Sequence, residues 1–493
     1  MRYASTRANR APVSAAEAID LGMVPEGGLF VPEDVPRLDL AALAGARYPA
    51  VAQAVLRPLL ADFSEGELGA CVEGAYNAGT FDAPDMVALA PLGPRRHVLE
   101  LWHGPTAAFK DVALQIMPHF MNVAKRHVGE KAHTVILVAT SGDTGKAALE
   151  GFKDSPGISI VVFYPDEGVS EIQKAQMATT DGGNTFVAAV KGNFDDCQAG
   201  VKELFGDRAL AEQFAAHGCV LSSANSINWG RLCPQIVYYV HAYLTLAARG
   251  GVRLGDLVDF CVPTGNFGNI LAGYYARRMG LPVRRLLCAS NKNRVLADFF
   301  ATGAYDRNRE FFRTMSPSMD ILISSNLERF LYEVTDHDAG RITQWYGALA
   351  REGRFRVDPA TLKAMAGVIR AGWVDEPRVL DTIRATFRAH RYVLDTHTAV
   401  GVAVCEELDD GAVPVIIDAT ASPYKFASSV VKAVDGKAEG DEFAAIECLH
   451  AVSGMPVHRA LAGLREKPVR HTLVIEQDRM RATVMDIVRQ VAV

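Results

Sequence analysis

Lys110 is the residue whose neighbours in the sequence best suit covalent chemistry. It lies in the segment LWHGPTAAFKD, after Phe109 and before Asp111, which we expect to cap the start of a helix. An apolar neighbour and a helix N-terminus both lower the pKa of a lysine, and a less protonated amine is the better nucleophile for forming a Schiff base. The alternative is an ordinary surface lysine, since most lysines are exposed.

The segment TGNFGN, from Thr264 to Asn269, has the composition of an anion-binding loop. It lies between a predicted strand and a predicted helix. Backbone N–H groups in such a loop, together with the helix N-terminus, form a site for a phosphate group. The segment lacks the Lys-Ser/Thr ending of a P-loop and the glycine spacing of a dinucleotide fold. The alternative is a tight turn that needs its glycines for conformation alone.

Two further segments follow predicted strands, where open α/β sheets place their ligands. SGDTGK, from Ser141 to Lys146, offers N–H groups and hydroxyls suited to a carboxylate, with Lys146 available to a second anion. An ordinary capped helix start is the alternative there. DATASPYKF, from Asp418 to Phe426, offers a hydroxyl for a heterocyclic ring nitrogen, although Pro423 alone also explains the end of a strand.

Alternating strands and helices must position these segments. From Thr134 onward, short runs rich in valine and isoleucine alternate with helical patterns, which predicts a parallel sheet covered by helices on both faces. We expect an α/β fold of two lobes with mostly parallel sheets, flanking helices and a cleft between the lobes. The predicted units are an N-terminal domain at 1–95, a catalytic region at 96–425 and a C-terminal helical segment at 426–493. Within the catalytic region we place a smaller lobe at about 130–230 and a helical insertion at about 294–391.

Composition narrows the class of partner. The 493 residues include 51 basic and 57 acidic side chains, which are interspersed and give a formal net charge of −6, so nucleic acid is not the expected ligand. The eight cysteines form no CxxC pair and no His/Cys ligand spacing, which argues against structural zinc and a disulfide framework. No run of about 18 apolar residues and no signal-peptide core is found. These features predict a cytoplasmic protein that binds small molecules, without metal or membrane; the oligomeric state stays open.

Nine ordered motifs carry a resemblance to one family. They are YASTRA, PEGGLFVP, HGPTAAFKD, ATSGDTGKAA, GNFDDCQ, SANSINWGR, VPTGNFGN, DTHTAVG and ATASPYKF. In this order they resemble the threonine synthase family, in its longer form with an extra N-terminal domain, within the tryptophan-synthase-β-like group of pyridoxal-phosphate enzymes. The resemblance covers nearly the whole chain and implies two α/β lobes with pyridoxal 5'-phosphate between them.

The resemblance also implies roles for individual residues. Lys110 would carry the cofactor as a Schiff base, Thr420 would meet the pyridine nitrogen, and Asp143 would lie beside the cofactor with its charge state open. The cofactor phosphate would be held by Gly265, Asn266, Phe267, Gly268 and Asn269. The substrate would be held by Ser141, Gly142 and Thr144 at its carboxylate, and by Lys146, Ser226, Asn228 and Arg231 at its phosphate.

The activity implied by the resemblance is the conversion of O-phosphohomoserine and water to L-threonine and phosphate. The reaction would be a γ-elimination followed by β-hydration, and it would be the last step of threonine biosynthesis. The alternatives are another lyase of the same cofactor group, such as a threonine dehydratase, or a catalytically silent relative that binds phosphorylated ligands. One departure stands out: Ser422 occupies the position where the family usually has a histidine, and His103 or His397 are the candidates to replace it.

Overall fold

The computed structural model describes residues 1–140, 142–436 and 440–491, without the side chain of Asp195. Its N-terminal part is a unit of two antiparallel strands and three helices, with the bounds β1 (Tyr3–Ser5), α1 (Ala15–Leu21), β2 (Phe30–Pro32), α2 (Tyr48–Leu59) and α3 (Glu65–Ala75). The side chains of Ser14 and Ser64 cap α1 and α3. Apolar residues of this unit belong to the same buried core as residues of the following lobe, so the unit packs directly onto it.

Before it forms the smaller lobe, the chain contributes two strands to the sheet of the larger lobe and then forms two helices. These elements are β3 (Ala88–Pro91), β4 (Arg96–Glu100), α4 (Lys110–Leu114) and α5 (Met117–Val128). The smaller lobe contains β5 (His133–Ala139), α6 (Asp143–Phe152), β6 (Ile158–Pro165), α7 (Glu171–Ala178), β7 (Thr185–Val190), α8 (Phe194–Gly206), α9 (Arg208–Ala216) and β8 (Cys219–Ser222). Its strands pair in parallel in the order β7-β6-β5-β8. Every residue of β6 is buried, as expected for an apolar strand between two neighbours and under helices on both faces.

The larger lobe is built on a six-stranded sheet. The remaining elements of this lobe are α10 (Trp229–Leu232), α11 (Pro234–Ala248), β9 (Val258–Pro263), α12 (Gly268–Arg278), β10 (Val283–Ser290), α13 (Val295–Thr302), β11 (Ala304–Asp306), α14 (Leu327–Val334), α15 (Ala339–Glu352), β12 (Arg354–Arg356), α16 (Pro359–Ala366), β13 (Ile369–Trp373), α17 (Glu376–His390), α18 (Thr396–Leu408) and β14 (Val415–Ala419). The strand order is β13-β10-β9-β14-β4-β3, and only the edge strand β3 runs antiparallel to its neighbour. The expected α/β fold with mostly parallel sheets is therefore confirmed.

The C-terminal segment packs against both lobes, with α19 on the larger lobe and α21 on the smaller one. It contains α19 (Ala427–Val434), α20 (Glu442–Ser453), β15 (Leu473–Ile475) and α21 (Met480–Val491). β15 pairs in parallel with β7 and extends the smaller sheet to five strands. No helix within the described ranges combines the length and the apolar character needed to cross a membrane.

The structure differs from the expected division of the chain in three respects. The region at 294–391 is not purely helical, because β13 joins the large sheet beside β10. The segment at 426–493 is not purely helical either, because β15 joins the small sheet. β3 already belongs to the large sheet, so this lobe begins before residue 95. All three strands have only three to five residues, which is too short to show a strand period in the sequence.

The contact between α4 and α6 predicts unequal effects of two glycine substitutions. An added Cβ at Gly151, in α6, would lie 2.8 Å from the carbonyl carbon of Leu114 in α4, so Gly151→Ala should lower stability by about 1–3 kcal/mol through overpacking. Gly66 is exposed in α3 with open space around its Cα, so Gly66→Ala should raise stability by about 0.5–1 kcal/mol. Thermal unfolding of both variants tests the difference, and a Gly151→Ala midpoint at or above that of the parent would contradict it.

Candidate active site

Lys110 lies inside the protein at the start of α4. Its side chain is only 10% exposed, and its Nζ donates a hydrogen bond of 3.1 Å to Ser318 Oγ and lies 3.7 Å from Asp143 Oδ2. Burial lowers the pKa of Lys110 to about 8, and the positive charges of Lys425 and Arg231 act in the same direction against the attraction of Asp143. The alternative of a surface lysine is therefore wrong, and the lowered pKa favours the unprotonated amine more than in an exposed lysine.

The turn before Lys110 is closed by Asp111. This residue does not cap the helix as expected, because Phe109 occupies the cap position and α4 begins at Lys110. Instead, the buried Asp111 carboxylate accepts hydrogen bonds of 2.9 Å from the Thr106 N–H and 2.6 Å from the Thr106 hydroxyl. Burial raises the pKa of Asp111 to about 6. The contact ties the HGPT turn to the first turn of α4 and so fixes the direction of the Lys110 side chain.

Asp143 lies between two lysines. Its Oδ1 is 2.7 Å from the Nζ of Lys425, a lysine whose side chain has no exposed surface, and also accepts a hydrogen bond of 2.8 Å from Gln173. Burial alone would raise the pKa of the Asp143 carboxyl, but Lys425 and Lys110 hold it well below its usual range. The two lysines therefore favour the ionised form of Asp143, the residue whose charge state the sequence left open.

The segment after β14 lies against the Lys110 turn. Phe109 N–H donates to Thr420 O over 2.8 Å, and Ser422 N–H donates to Ala107 O over 3.0 Å. These two bonds bring the Thr420 side chain, which is 6% exposed, next to the Lys110 turn. Among the described residues the Thr420 hydroxyl has no hydrogen-bond partner, and the same holds for the buried Ser422 hydroxyl.

The two candidate histidines differ in what they contact. His397 is buried, with Nδ1 3.0 Å from Asp395 Oδ1 and Nε2 accepting the N–H of Ser318, the residue that contacts Lys110. His103 lies between Asp82 and Glu100. Burial alone would lower the pKa of His103, but hydrogen bonds to both carboxylates outweigh it and raise this pKa to about 9. Of the two, only His397 is linked to Lys110 through a shared neighbour.

The loop at 264–269 leads from β9 into α12. An added Cβ at Gly265 would lie 2.8 Å from Ser318 O, so this close approach requires glycine. Phe267 has a left-handed backbone with φ of +64°, and its ring packs against Phe300 and Phe330 in the core. Gly268 starts the helix, and a helix N-terminus leaves its first N–H groups without intrahelical partners. The side chain of Phe267 thus anchors the loop in the core.

The two asparagines in this loop have different surroundings. Asn266 is exposed, and its backbone carbonyl accepts hydrogen bonds from both the backbone N–H and the side-chain amide of Asn326. Asn269 is buried, and its Oδ1 accepts hydrogen bonds from the hydroxyls of Tyr238 and Tyr239. The Oδ1 of Asn269 is therefore occupied within the protein, whereas its buried Nδ2 has no hydrogen-bond partner among the described residues.

Arg231 is a buried cation without a carboxylate partner. Arg231 is 5% exposed, one of its Nη atoms donates a hydrogen bond of 2.7 Å to Ala224 O, and its Nε has no hydrogen-bond partner among the described residues. Within the described residues, no carboxylate lies within 4.0 Å of the guanidinium. Burial lowers the pKa of Arg231 to about 10. An anion brought to Nε would complete this site.

Two of the expected substrate residues are already occupied. Asn228 caps α10, with Oδ1 accepting the Gly230 N–H over 2.8 Å and Nδ2 donating to Ile19 O over 2.9 Å. Lys146 donates to Glu150 over 2.8 Å, one helical turn further along α6, and to Thr180 over 2.9 Å. Both side chains therefore have partners within the protein, and their role in binding the substrate phosphate stays a prediction.

The remaining expected residues are distributed as follows. Ser226 faces Ser325, with 3.2 Å between the hydroxyl oxygens. Gly142 has φ of +140°, its N–H donates to Thr140 Oγ1, and Thr144 is half-buried in the first turn of α6. Ser141 lies outside the described residues.

Several residues of this site were missed by sequence reasoning. Lys425 lies within the ATASPYKF motif, so its presence in a motif was a usable signal. Ser318, Gln173 and Asn326 belong to no motif that we singled out. They reach the site from distant parts of the chain, as in the Lys110–Ser318 bond, which joins residues 208 positions apart.

Comparison with known proteins supports one family. Three family models match: "Pyridoxal-phosphate dependent enzyme" at 91–380, "Threonine synthase N terminus" at 2–76 and "Threonine synthase, C-terminal" at 398–486. Threonine synthase from Pseudomonas aeruginosa is 38% identical over 443 residues, covering 89% of this chain and 91% of that protein. The crystal structure of pyridoxal-phosphate-bound threonine synthase from Brucella melitensis superimposes with a TM-score of 0.89 at 35% identity, covering 100% of this chain and 99% of the other.

A longer relative is also similar. Human threonine synthase-like 1 is 41% identical over 432 residues, which cover 85% of this chain, and the match spans only 58% of the human protein. The fold and these matches define a pyridoxal-phosphate-dependent protein whose cofactor is pyridoxal 5'-phosphate. Within that class, the chain belongs to the threonine synthase family.

Proposed function

We propose that this protein converts O-phosphohomoserine and water to L-threonine and phosphate, as the last step of threonine biosynthesis in the cytoplasm. The observation that carries the proposal is Arg231, a buried guanidinium whose Nε has no partner in the described part of the chain and whose charge lowers the pKa of Lys110. A buried charge is costly unless an opposite charge or hydrogen bonds compensate it. A phosphate on the substrate supplies that charge, whereas threonine, the substrate of a dehydratase, has no anionic group besides its α-carboxylate.

The residues present fit pyridoxal phosphate. Lys110 is a buried primary amine with a pKa of about 8, and the absence of a Cβ at Gly265 lets this loop approach Ser318, the residue that contacts Lys110. The N-terminus of α12 provides N–H groups suited to a phosphate. We therefore assign Lys110 to covalent attachment, Thr420 to the ring nitrogen and Asp143 to the surroundings of the ring. The phosphate is assigned to the backbone of Gly265, Asn266, Phe267, Gly268 and Asn269.

Lys110 is the proton carrier of the proposed reaction. When bound, the cofactor supplies an electron sink for charge that develops on the substrate carbons. With a pKa of about 8, Lys110 Nζ moves protons one at a time. The protons taken from Cα and Cβ of the substrate go to Cγ and to the departing phosphate, and the proton released by the water that attacks Cβ returns to Cα. Asp143 stays ionised beside it and balances the positive charge that Lys110 gains. The Thr420 hydroxyl is neutral and does not hold a ring nitrogen protonated, which favours elimination over transamination.

The remaining residues bind the substrate. Gly142 and Thr144 are assigned to the α-carboxylate, since they lie at the N-terminal end of α6, where Thr144 offers a backbone N–H. Ser141 is assigned with them on the resemblance of the SGDTGK motif. Arg231 and Ser226 are assigned to the substrate phosphate. Asn228 and Lys146 are left out of this set, because their polar atoms are used within the protein.

The activity itself is the first test. The purified protein, loaded with pyridoxal phosphate, should release phosphate from O-phosphohomoserine and form threonine in equal amounts. A dehydratase would instead release ammonia and a 2-oxo acid from threonine or serine, and a silent relative would turn over none of these compounds. Either of those outcomes would reject the proposal.

Arg231→Met tests the assignment of the phosphate. We expect kcat/KM for O-phosphohomoserine to fall by about 30- to 1,000-fold, since a charge-assisted bond to a buried anion contributes about 2–4 kcal/mol. Arg384→Met is the matched control, because Arg384 donates to Ala433 O and pairs with Asp381 on the surface of α17. Undiminished kcat/KM in Arg231→Met would remove the observation on which the substrate assignment depends.

A further inference from the structure

The N-terminal unit contacts the larger lobe through two adjacent residues at the start of α14, Glu328 and Arg329. Both are buried, and Arg329 has no exposed surface. Together they connect the YASTRA and PEGGLFVP motifs, whose purpose the proposed chemistry does not explain, to the loops assigned to phosphate groups.

The first contact holds the YASTRA motif against α14. Thr6 Oγ1 donates to Glu328 Oε1 over 2.7 Å, and the Arg7 guanidinium binds both Glu328 oxygens, with distances of 2.9 Å. Thr6 Oγ1 also accepts the N–H of Leu29 from the PEGGLFVP motif. Gly28 is needed beside this contact, because an added Cβ would lie 3.1 Å from Thr6 Oγ1 on a backbone with φ of +99°. Both motifs therefore meet at Glu328.

In the second contact, the guanidinium of Arg329 joins the N-terminal unit to two other segments of the chain. Arg329 Nε donates to Phe30 O over 2.8 Å, and its two Nη atoms donate to Asn326 Oδ1 over 2.6 Å and to Ile227 O over 2.5 Å. All three acceptors are uncharged. The planar guanidinium thus fixes the relative positions of β2, the loop before α10 and the residue before α14, as its rigid fork of donors requires.

Asn326 connects Arg329 to both loops assigned to phosphate groups, namely the loop at 264–269 and the loop that contains Ser226. Its N–H and its side-chain amide donate to Asn266 O, over 3.1 Å and 3.2 Å. The same amide donates to Ser226 O over 3.2 Å. With its Oδ1 held by Arg329, the Asn326 amide has one orientation, in which Nδ2 faces the carbonyls of both loops. The side chain is fully buried, so it has little freedom to turn.

We infer that Arg329 is a positioning residue through which the N-terminal unit sets the geometry of the loop that holds the cofactor phosphate and of the loop that contains Ser226. The second part of this inference rests on the proposed function, whereas the first depends only on the cofactor. The Thr6, Arg7 and Glu328 contact keeps the start of α14 against the N-terminal unit, so that Phe30 O remains in reach of Arg329. The N-terminal unit thereby becomes part of the binding site without touching a ligand.

The test measures how fast the cofactor dissociates rather than how fast a substrate is converted. Arg329→Lys keeps the positive charge but loses the planar guanidinium with its several N–H donors. Arg7→Met removes the ion pair with Glu328, and because Arg7 is partly exposed this second variant is expected to fold. We expect pyridoxal phosphate to dissociate about 5- to 20-fold faster from both holoenzymes, because each change frees a loop that a charged hydrogen bond held. The 31P chemical shift of the bound cofactor should move as well. Arg7→Lys should recover part of the loss.

Arg10→Met provides the matched control. Arg10 lies three residues after Arg7, and it pairs with Glu17 and Glu26 inside the N-terminal unit, without reaching α14. Its dissociation rate and 31P shift should equal those of the parent. The inference is overturned if Arg7→Met and Arg329→Lys also match the parent in both measurements; if Arg329→Lys does not fold, Arg7→Met decides alone. Because the probe is pyridoxal phosphate, the outcome stands whether or not O-phosphohomoserine is the substrate.

Discussion

Replacing Lys110 by alanine should lower kcat on O-phosphohomoserine at least about 1,000-fold, because one amine is proposed both to hold the cofactor and to carry protons. The structure offers no substitute in the same position. Lys425, the other buried lysine of the site, is held by Asp143 and by Thr106 O, and its Nζ lies on the opposite carboxylate oxygen from Lys110. The variant should also lose the visible absorbance that a lysine-bound cofactor gives, and borohydride should no longer fix the cofactor to the chain.

Controls separate this effect from a loss of structure. Lys191→Ala removes an exposed lysine that pairs with Glu476 in the same lobe as Asp143, and it should leave kcat and absorbance unchanged. Circular dichroism and the thermal midpoint of Lys110→Ala should stay close to those of the parent, since alanine is a good helix former and leaves a site that water can enter. Turnover by Lys110→Ala within tenfold of the parent would reject the proposed role.

The parts of the site that follow from local sequence were predictable. The loops after β5, β9 and β14 were placed correctly because short apolar runs followed by glycine-rich turns and helical patterns are local signals. Their convergence also follows from the fold class, since parallel strands present their carboxyl ends at one edge of each sheet. Gly265 was expected on composition alone, and the structure adds the reason, which is the backbone of Ser318.

Some contacts of the site residues follow from local sequence, whereas others depend on parts of the chain that are distant in sequence. Lys146 and Glu150 are four residues apart on one helix face, so their ion pair was a local signal that went unused. Asn228 precedes a helix, where asparagine commonly serves as a cap, and it does so here. Ser318 and Asn326, by contrast, depend on a long connection between β10 and β13 folding back over the site. No pattern of a single sequence encodes such a return.

The pKa of Lys110 depends on charges that only the folded chain brings together. Burial lowers this pKa, Asp143 raises it, and Lys425 and Arg231 lower it again. In the sequence, we credited the lowered pKa to Phe109 and to the helix start. The structure assigns the larger part to burial between the lobes and to cations that lie far away in the chain.

Lys425→Gln should raise the pKa of Lys110 from about 8 by about one unit or more. A glutamine amide still donates to Asp143, but it no longer repels the Lys110 ammonium, and Asp143 is then left with Lys110 as its nearest cation. One unit corresponds to about tenfold less free amine at neutral pH, so attachment of pyridoxal phosphate at pH 7 should slow by about that factor. The measurement is the pH dependence of trace acetylation of Lys110, followed by peptide mass spectrometry.

Asp143→Asn gives the opposite sign and so distinguishes electrostatics from general loosening of the site. Without the carboxylate, Lys110 keeps the repulsion of Lys425 and Arg231 and loses its attraction, so its pKa should fall below 8 and acetylation should begin at lower pH. A site that merely opened to water would move the pKa towards the ordinary lysine value in both variants. Shifts in the same direction would therefore contradict the proposal that Asp143, held by Lys425, tunes the amine. Opposite shifts would establish that a second buried lysine, distant in sequence, keeps Lys110 reactive at neutral pH.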